Sequence, residues 1–413
     1  MEAVVEHFAK KTMLSQRYSP RQMYTVLEEK YQLYGYRQPV GNQEKILIIS
    51  LNAIGDNILY SAFVRELRRN YPQSYIVMVV TPLVYNLMEH CPYINKLLTL
   101  AYKPYETFAD YFSRFVEFCC QELLPQRFTT SFCVQWSDDK RPMNLLAYLS
   151  GAQRRIGISD NSLLAYNENF RLIDQWEYLL TDPVTTPIEM VHEAERALYV
   201  LEAMGEKIEN KATELWLDAT DKYNAAQLRG IEKEYIVLGV GAGAPNRKYP
   251  LVKWLAAMTA IYQKYKIPFV ICGGGSEAGD GAYLAEKMPS GSVVNVVARA
   301  NLRETAALID DAYCYLGNVT GAMHMAAALK TPLITLYREA KERALAPAGV
   351  FSESTRFAPW QAKAVVLQPD IAKDECLHTV TYGGCREEYA HCISQITPQE
   401  IVAAFDYIVE HFH

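Results

Sequence analysis

Lys45-Ile-Leu-Ile-Ile-Ser-Leu51 runs directly into Asn52-Ala-Ile-Gly-Asp56 and then into the amphipathic segment Ile58 to Asn70. A continuous apolar run, a tight turn and a helix-period segment read as strand, turn and helix. A strand that is apolar on both faces belongs inside a parallel sheet covered by helices, so the first half of the chain is expected to be α/β.

The pattern repeats outward from this unit. Tyr75 to Val80 reads as a buried strand, Val84 to His90 as a helix and Thr129 to Val134 as a weaker strand. A loop and an amphipathic helix lie between about Leu179 and Lys211, and a second series begins near Glu234. Its strands are expected at Tyr235 to Gly239, Phe269 to Cys272, Val293 to Val297, Ala312 to Leu316 and Leu333 to Tyr337. The helices between them are expected at Leu251 to Tyr265, Ala278 to Met288, Leu302 to Asp311 and Ala322 to Leu329. This alternation excludes an all-helical or sandwich fold, and no short repeat of fixed period is visible.

The organisation read from the sequence is an N-terminal helical extension over 1–43 and α/β domains over 44–220 and 221–395. A C-terminal helix over 396–413 completes it. A chain of 413 residues exceeds what one hydrophobic core supports, which agrees with two domains.

Composition removes several classes of function. Half the residues are hydrophobic and 21% are charged, as in ordinary globular proteins. The formal net charge of −6 supplies no positive field to gather a nucleic-acid backbone. No apolar run is long enough to cross a membrane, and the N-terminus lacks the pattern of a secretory signal. The nine cysteines lack the dense spacing of a disulfide scaffold, so reduced thiols and a cytoplasmic location are expected.

In open parallel sheets ligands bind beyond the carboxyl ends of the strands, so strand-to-helix turns are where chemistry is sought. Three turns stand out: Ser50 to Asp56; Gly239-Val-Gly-Ala-Gly-Ala-Pro-Asn-Arg247-Lys248-Tyr-Pro250; and Gly317-Asn-Val-Thr320-Gly321-Ala-Met-His324. Asp56, at the end of a strand, can project a carboxylate toward a ligand or serve as a helix N-cap. Thr320 and Gly321 open a helix whose N–H groups suit an anion, or are an ordinary capped start. Arg247 and Lys248 are either anion-binding cations or surface charge. His324, on an apolar helix, is either a site residue or a satisfied core histidine.

These turns resemble, in order, the motifs of glycosyltransferase family 9, the heptosyltransferases of lipopolysaccharide assembly. The Ser50 to Asp56 turn resembles the one that opens these enzymes, and the second resembles their G-A-x-x-x-K-R-W-P segment. Gly317 to Leu329 resembles their signature G-N-D-T-G-x-M-H-x-A-A-A-L. Gly151-Ala-Gln-Arg-Arg-Ile-Gly157, His192-Glu-Ala-Glu-Arg196 and Cys392 to Pro398 match further family patterns. The resemblance extends from about residue 45 to 410.

The resemblance implies a GT-B fold, two doubly wound Rossmann-like domains facing a central cleft. It also implies a nucleotide-diphosphate-sugar donor such as ADP-heptose, inversion at the anomeric carbon and no required metal or other cofactor. Asp56 is then the general base, with Ser50 and Gly55 on the acceptor side and Gly55 admitting substrate close to the backbone. Arg247, Lys248, Glu277, Thr320, Gly321 and His324 bind the donor, with Glu277 at the ribose. The acceptor is expected to be a glycan or glycolipid. If it is lipid-linked, the enzyme works at the inner face of the membrane, where Arg65, Arg68 and Arg69 offer peripheral contact or simply form a solvated helix face.

Two features depart from the pattern. Val319 stands where the family carries an aspartate, and losing that acceptor leaves a sugar hydroxyl unpaired at a cost of about 1 to 3 kcal/mol. Cys376, Cys385 and Cys392, with His378 and His391, form a C-terminal cluster without paired metal-ligand spacing, so structural cysteines are favoured over a metal clip. Rival readings are a sugar-nucleotide-binding protein with weakened catalysis, prompted by Val319, and a GT-B sugar-nucleotide epimerase.

Overall fold

The structure is a computed structural model and describes residues 43–103, 108–135, 141–159, 161–164, 176–341, 353–372 and 392–412. The N-terminal extension over 1–42, together with Cys376, His378, Cys385 and His391, lies outside the described residues.

Two compact units are present. The first is built on β1 (Lys45–Ser50), β2 (Tyr75–Val80), β3 (Lys96–Thr99), β4 (Thr130–Cys133), β5 (Arg154–Ile158) and β6 (Asp182–Val184). All pairings are parallel, in the order β3-β2-β1-β4-β5-β6. Helix α1 (Ile54–Leu59) follows β1, and next come α2 (Ser61–Asn70), α3 (Pro82–Met88), α4 (Phe108–Phe118), α5 (Arg141–Leu149) and α6 (Glu193–Ala203). Leu47, Ile49, Val77 and Val79 meet Phe115, Leu146 and Tyr148 in the core, which is why β1 and β2 tolerate no polar residue along their centres.

The second unit contains α7 (Ala219–Arg229), β7 (Ile236–Gly239), α8 (Leu251–Tyr265), β8 (Phe269–Cys272), α9 (Ala278–Lys287) and β9 (Val293–Asn295). It continues through α10 (Leu302–Asp310), β10 (Cys314–Asn318), α11 (Gly321–Leu329), β11 (Leu333–Leu336), β12 (Ala364–Leu367) and α12 (Pro398–His411). Its parallel order is β12-β11-β10-β7-β8-β9. Counted from the first strand of each unit, both sheets have the doubly wound order 3-2-1-4-5-6, with a switch point between the first and fourth strands.

Local chemistry fixes the helix boundaries. Asp218 with Asp221, Asn301 with Glu304, and Thr397 with Glu400 form capping boxes at the starts of α7, α10 and α12. Pro398 occupies the first turn of α12, where its missing N–H costs nothing. The apolar face of α12 carries Ile401, Phe405 and Ile408 into the core of the second unit beside Trp254 and Ile271.

The first unit ends at Lys211 and the second resumes at Ala212, while Ala53–Ser61, the segment bearing α1, groups with the second unit. Residue 220, where the sequence places the division, falls inside α7. Arg65, Arg68 and Arg69 are engaged in bonds within the first unit. Arg68 donates to the carbonyls of Tyr93, Tyr71, Pro72 and Ser74, while Arg65 and Arg69 flank Glu66 and hold the carbonyls of Asn210 and Lys207. No helix among the described residues is long and apolar enough to cross a membrane.

Candidate active site

The switch point of the second sheet lies between β7 and β10, so the loops leaving these strands are where a ligand is expected. One buried amide joins them. Asn318, at the end of β10, donates to the Gly241 carbonyl at 3.0 Å and accepts the Tyr249 N–H at 3.2 Å. It therefore holds both ends of the loop that contains Arg247 and Lys248.

Tyr315 supports the same edge from below. Its ring lies across Gly239 and Gly317, where any Cβ would collide with the phenol hydroxyl. That hydroxyl reaches Thr320 Oγ1 at 3.5 Å. Burial pushes the phenol pKa far above its usual value, so Tyr315 acts as a neutral prop.

Thr320 is the N-cap of α11 with extended backbone and no side-chain cap bond. A helix of nine residues thus begins with its first-turn N–H groups unserved by a capping side chain, an arrangement suited to an anion.

Helix α1 packs against this helix through two glycines. A Cβ on Gly55 would lie 2.6 Å from His324 Cδ2, and one on Gly321 would lie 2.5 Å from Ile54 Cγ2. The imidazole lies on the side of Gly55 toward which a Cβ would project. His324 is buried and meets the Phe357 ring edge-on, with centroids 6.5 Å apart.

Asp56 is the third residue of α1, whose N-cap is Ala53, so it is not an N-cap aspartate. Its half-buried carboxylate sits in a first turn, where the helix dipole favours negative charge. Asp56, Thr320, Gly321 and His324 therefore all belong to one compact unit. Ser50 is buried at the end of β1, in the other unit, and accepts from the Asn52 side chain at 3.4 Å.

The cations differ in their engagement. Arg247 Nη2 pairs with Glu353 Oε1 at 2.7 Å. Lys248 Nζ lies 2.9 Å from Asp280 and 3.4 Å from Glu277. Burial works against the Lys248 charge, but the hydrogen bond to Asp280 and the charges of Asp280 and Glu277 outweigh it and raise the pKa. Glu277 is itself buried and accepts the Gly274 N–H at 2.9 Å and the Ser276 hydroxyl at 2.6 Å. A carboxylate has about four lone-pair sites, which leaves Glu277 room for a ribose hydroxyl.

Sequence reasoning did not mark Tyr315, Asn318, Arg338 or Glu353. Arg338 Nη2 reaches the same Glu353 oxygen as Arg247, at 3.5 Å. Of the C-terminal cysteines only Cys392 is among the described residues, buried beside Ala340 and Ala372. Burial pushes the Cys272 thiol up to about 12, which keeps it protonated and inert.

Two doubly wound α/β units, each with the strand order of a Rossmann-like sheet, define a GT-B type fold. Residues 137–383 match glycosyltransferase family 9 (heptosyltransferase), and the chain belongs to that family. Lipopolysaccharide heptosyltransferase 3 of Escherichia coli is 23% identical over 68% of this chain and 79% of its own length. Lipooligosaccharide heptosyltransferase 2 of Haemophilus ducreyi is also 23% identical, over 87% of this chain and 97% of its own. The crystal structure of a family 9 glycosyl transferase from Veillonella parvula superposes with a TM-score of 0.70 at 17% identity, covering 90% of this chain and 99% of that one.

Proposed function

We propose that this enzyme is an inverting heptosyltransferase which moves a heptose from a nucleotide diphosphate, such as ADP-heptose, to a hydroxyl of a lipopolysaccharide or surface-glycan acceptor. The observation that carries the reading is the packing of α1 on α11, which puts a carboxylate helix and an uncapped helix start into one unit.

Asp56 removes the proton from the acceptor hydroxyl as its oxygen forms a bond to the anomeric carbon. The bond from that carbon to the diphosphate oxygen breaks on the opposite face, and the electron pair leaves with the nucleoside diphosphate. The α11 N–H groups and the Arg247 guanidinium receive the developing charge, so the step needs no metal ion. Glu277 takes the ribose hydroxyls, and Lys248 steadies Glu277.

The test is Asp56→Asn. It should lower kcat by about 10² to 10⁴ fold, the usual contribution of a general base, while ADP affinity stays near that of the unaltered enzyme. Full activity in that variant removes Asp56 from the reaction.

A further inference from the structure

We propose that Glu353 and Arg338 are positioning residues that hold Arg247 in its anion-binding pose. The inference rests on the reading of Arg247 as the cation that receives the donor diphosphate.

The register of the sheet brings the three together. Asn318 of β10 pairs with Leu336 of β11, so two residues further on Thr320 and Arg338 leave the sheet at the same level. Phe357, which follows the short helical turn Glu353–Arg356, touches His324 in the first turn of α11 and accepts the Tyr337 hydroxyl at 2.7 Å. The Glu353 N–H is fixed by Glu339 Oε2 at 2.6 Å. Glu353 is therefore anchored through its backbone beside the start of α11.

Charge decides what this anchored carboxylate does. Glu353 is only 2% exposed and a lone buried carboxylate is costly, so it must be compensated. Two arginines share Glu353 Oε1, and the Glu339 carboxylate lies close by at the Glu353 N–H; Arg338, at 10% exposed, is the more enclosed of the two cations. Arg247, 26% exposed, lies outermost, with Nη1 close to Gly243 in the loop after β7. A guanidinium carries five donors in a planar fork, so the bond from Nη2 to Glu353 restrains it while engaging only part of the fork. Pre-setting a long, flexible side chain in this way spares the ordering that donor binding would otherwise require.

The test measures ADP and inorganic pyrophosphate binding by calorimetry on the full chain, together with thermal unfolding. Glu353→Gln should weaken both ligands by on the order of ten-fold, the effect of re-immobilising one such side chain, despite the more positive site it creates. Donor KM should rise more than kcat falls. In an Arg247→Ala background the same substitution should have no further effect on binding, a coupling that a merely structural residue does not produce. Arg338→Met, which shifts the whole Glu353 charge onto Arg247, should also weaken binding, and adding Glu353→Gln to it should recover part of the loss. Unchanged or tighter binding by Glu353→Gln, or additive losses with Arg247→Ala, would overturn the proposal while leaving the donor reading standing. Failure of the unaltered protein to bind either ligand would instead overturn the donor reading and this proposal together.

Discussion

Gly55 and His324 are in direct contact: the imidazole occupies the space that any side chain at position 55 would need. The ring is buried and meets Phe357 edge-on, so moving it disturbs a packed neighbour. Gly55→Ala should therefore overpack the α1–α11 contact and destabilise the protein by about 1 to 3 kcal/mol. Turnover should fall too, since Asp56 is the next residue. Adding His324→Ala should relieve much of the strain, so the double variant melts higher than the sum of the single effects predicts. An unshifted melting temperature for Gly55→Ala would show that the contact is not tight.

Val319 lies between Asn318, whose amide holds the neighbouring loop, and Thr320, which opens α11. Val319→Asp places a hydrogen-bond acceptor beside the start of α11, which has no side-chain cap bond. The variant should change relative kcat/KM among donors that differ in one sugar hydroxyl by about ten-fold, the worth of one buried hydrogen bond to a charged group. Equal effects on every donor would mean that residue 319 does not face the sugar.

Acid stability should depend on Glu66. Burial of this side chain raises its pKa, but the Glu209 N–H and the bond and charge of Arg69, with the charge of Arg65, outweigh burial and bring it below 4.5. A carboxyl with a depressed folded pKa stabilises the fold above its unfolded pKa, and that contribution is lost as pH falls through the folded value. Glu66→Gln should lower the melting temperature at pH 7 and flatten its dependence on pH below about 4.5, the range in which a free glutamate titrates. Parallel pH profiles for the variant and the parent would rule this out.

Chelation tests the charge-receiving role of α11 and Arg247. On the proposed mechanism, in which N–H groups and a guanidinium meet the leaving diphosphate, activity should be unchanged after treatment with EDTA and dialysis. Activity that is lost and restored by a divalent cation would replace that account.

The central strands were legible because their surroundings are uniform. Ile46 to Ile49 and Val77 to Val80 are buried on both faces, so hydrophobicity alone marks them. Of the four edge strands only β9 was read from the sequence; β3, β6 and β12 were not, because Lys-Leu-Leu-Thr, Asp-Pro-Val and Ala-Val-Val-Leu are short and largely half-buried, and the interior β5 was missed because Arg-Arg-Ile-Gly-Ile carries two charges and a glycine. β10 was placed too early, at Ala312 to Leu316, because Gly317 and Asn318 look like turn residues. Asn318 stays in the strand because its side chain finds partners on the adjacent loop, a long-range fact that local sequence does not carry. Likewise the three strand-to-helix turns could be read from glycines and charges near strand ends, whereas the Arg247–Glu353–Arg338 cluster joins residues far apart in the chain and has no local pattern.

The allegiance of α1 has a consequence for biosynthesis. As the chain leaves the ribosome, Gly55 is made early and its partner His324 only after most of the protein has been translated, so the nascent first sheet must wait with this surface unsatisfied. A fragment begun at Ala212 would meet the mirror image of that problem, lacking the short helix that covers Gly321. Dissecting the enzyme into separately expressed halves would therefore require grafting residues 53–61 onto the second.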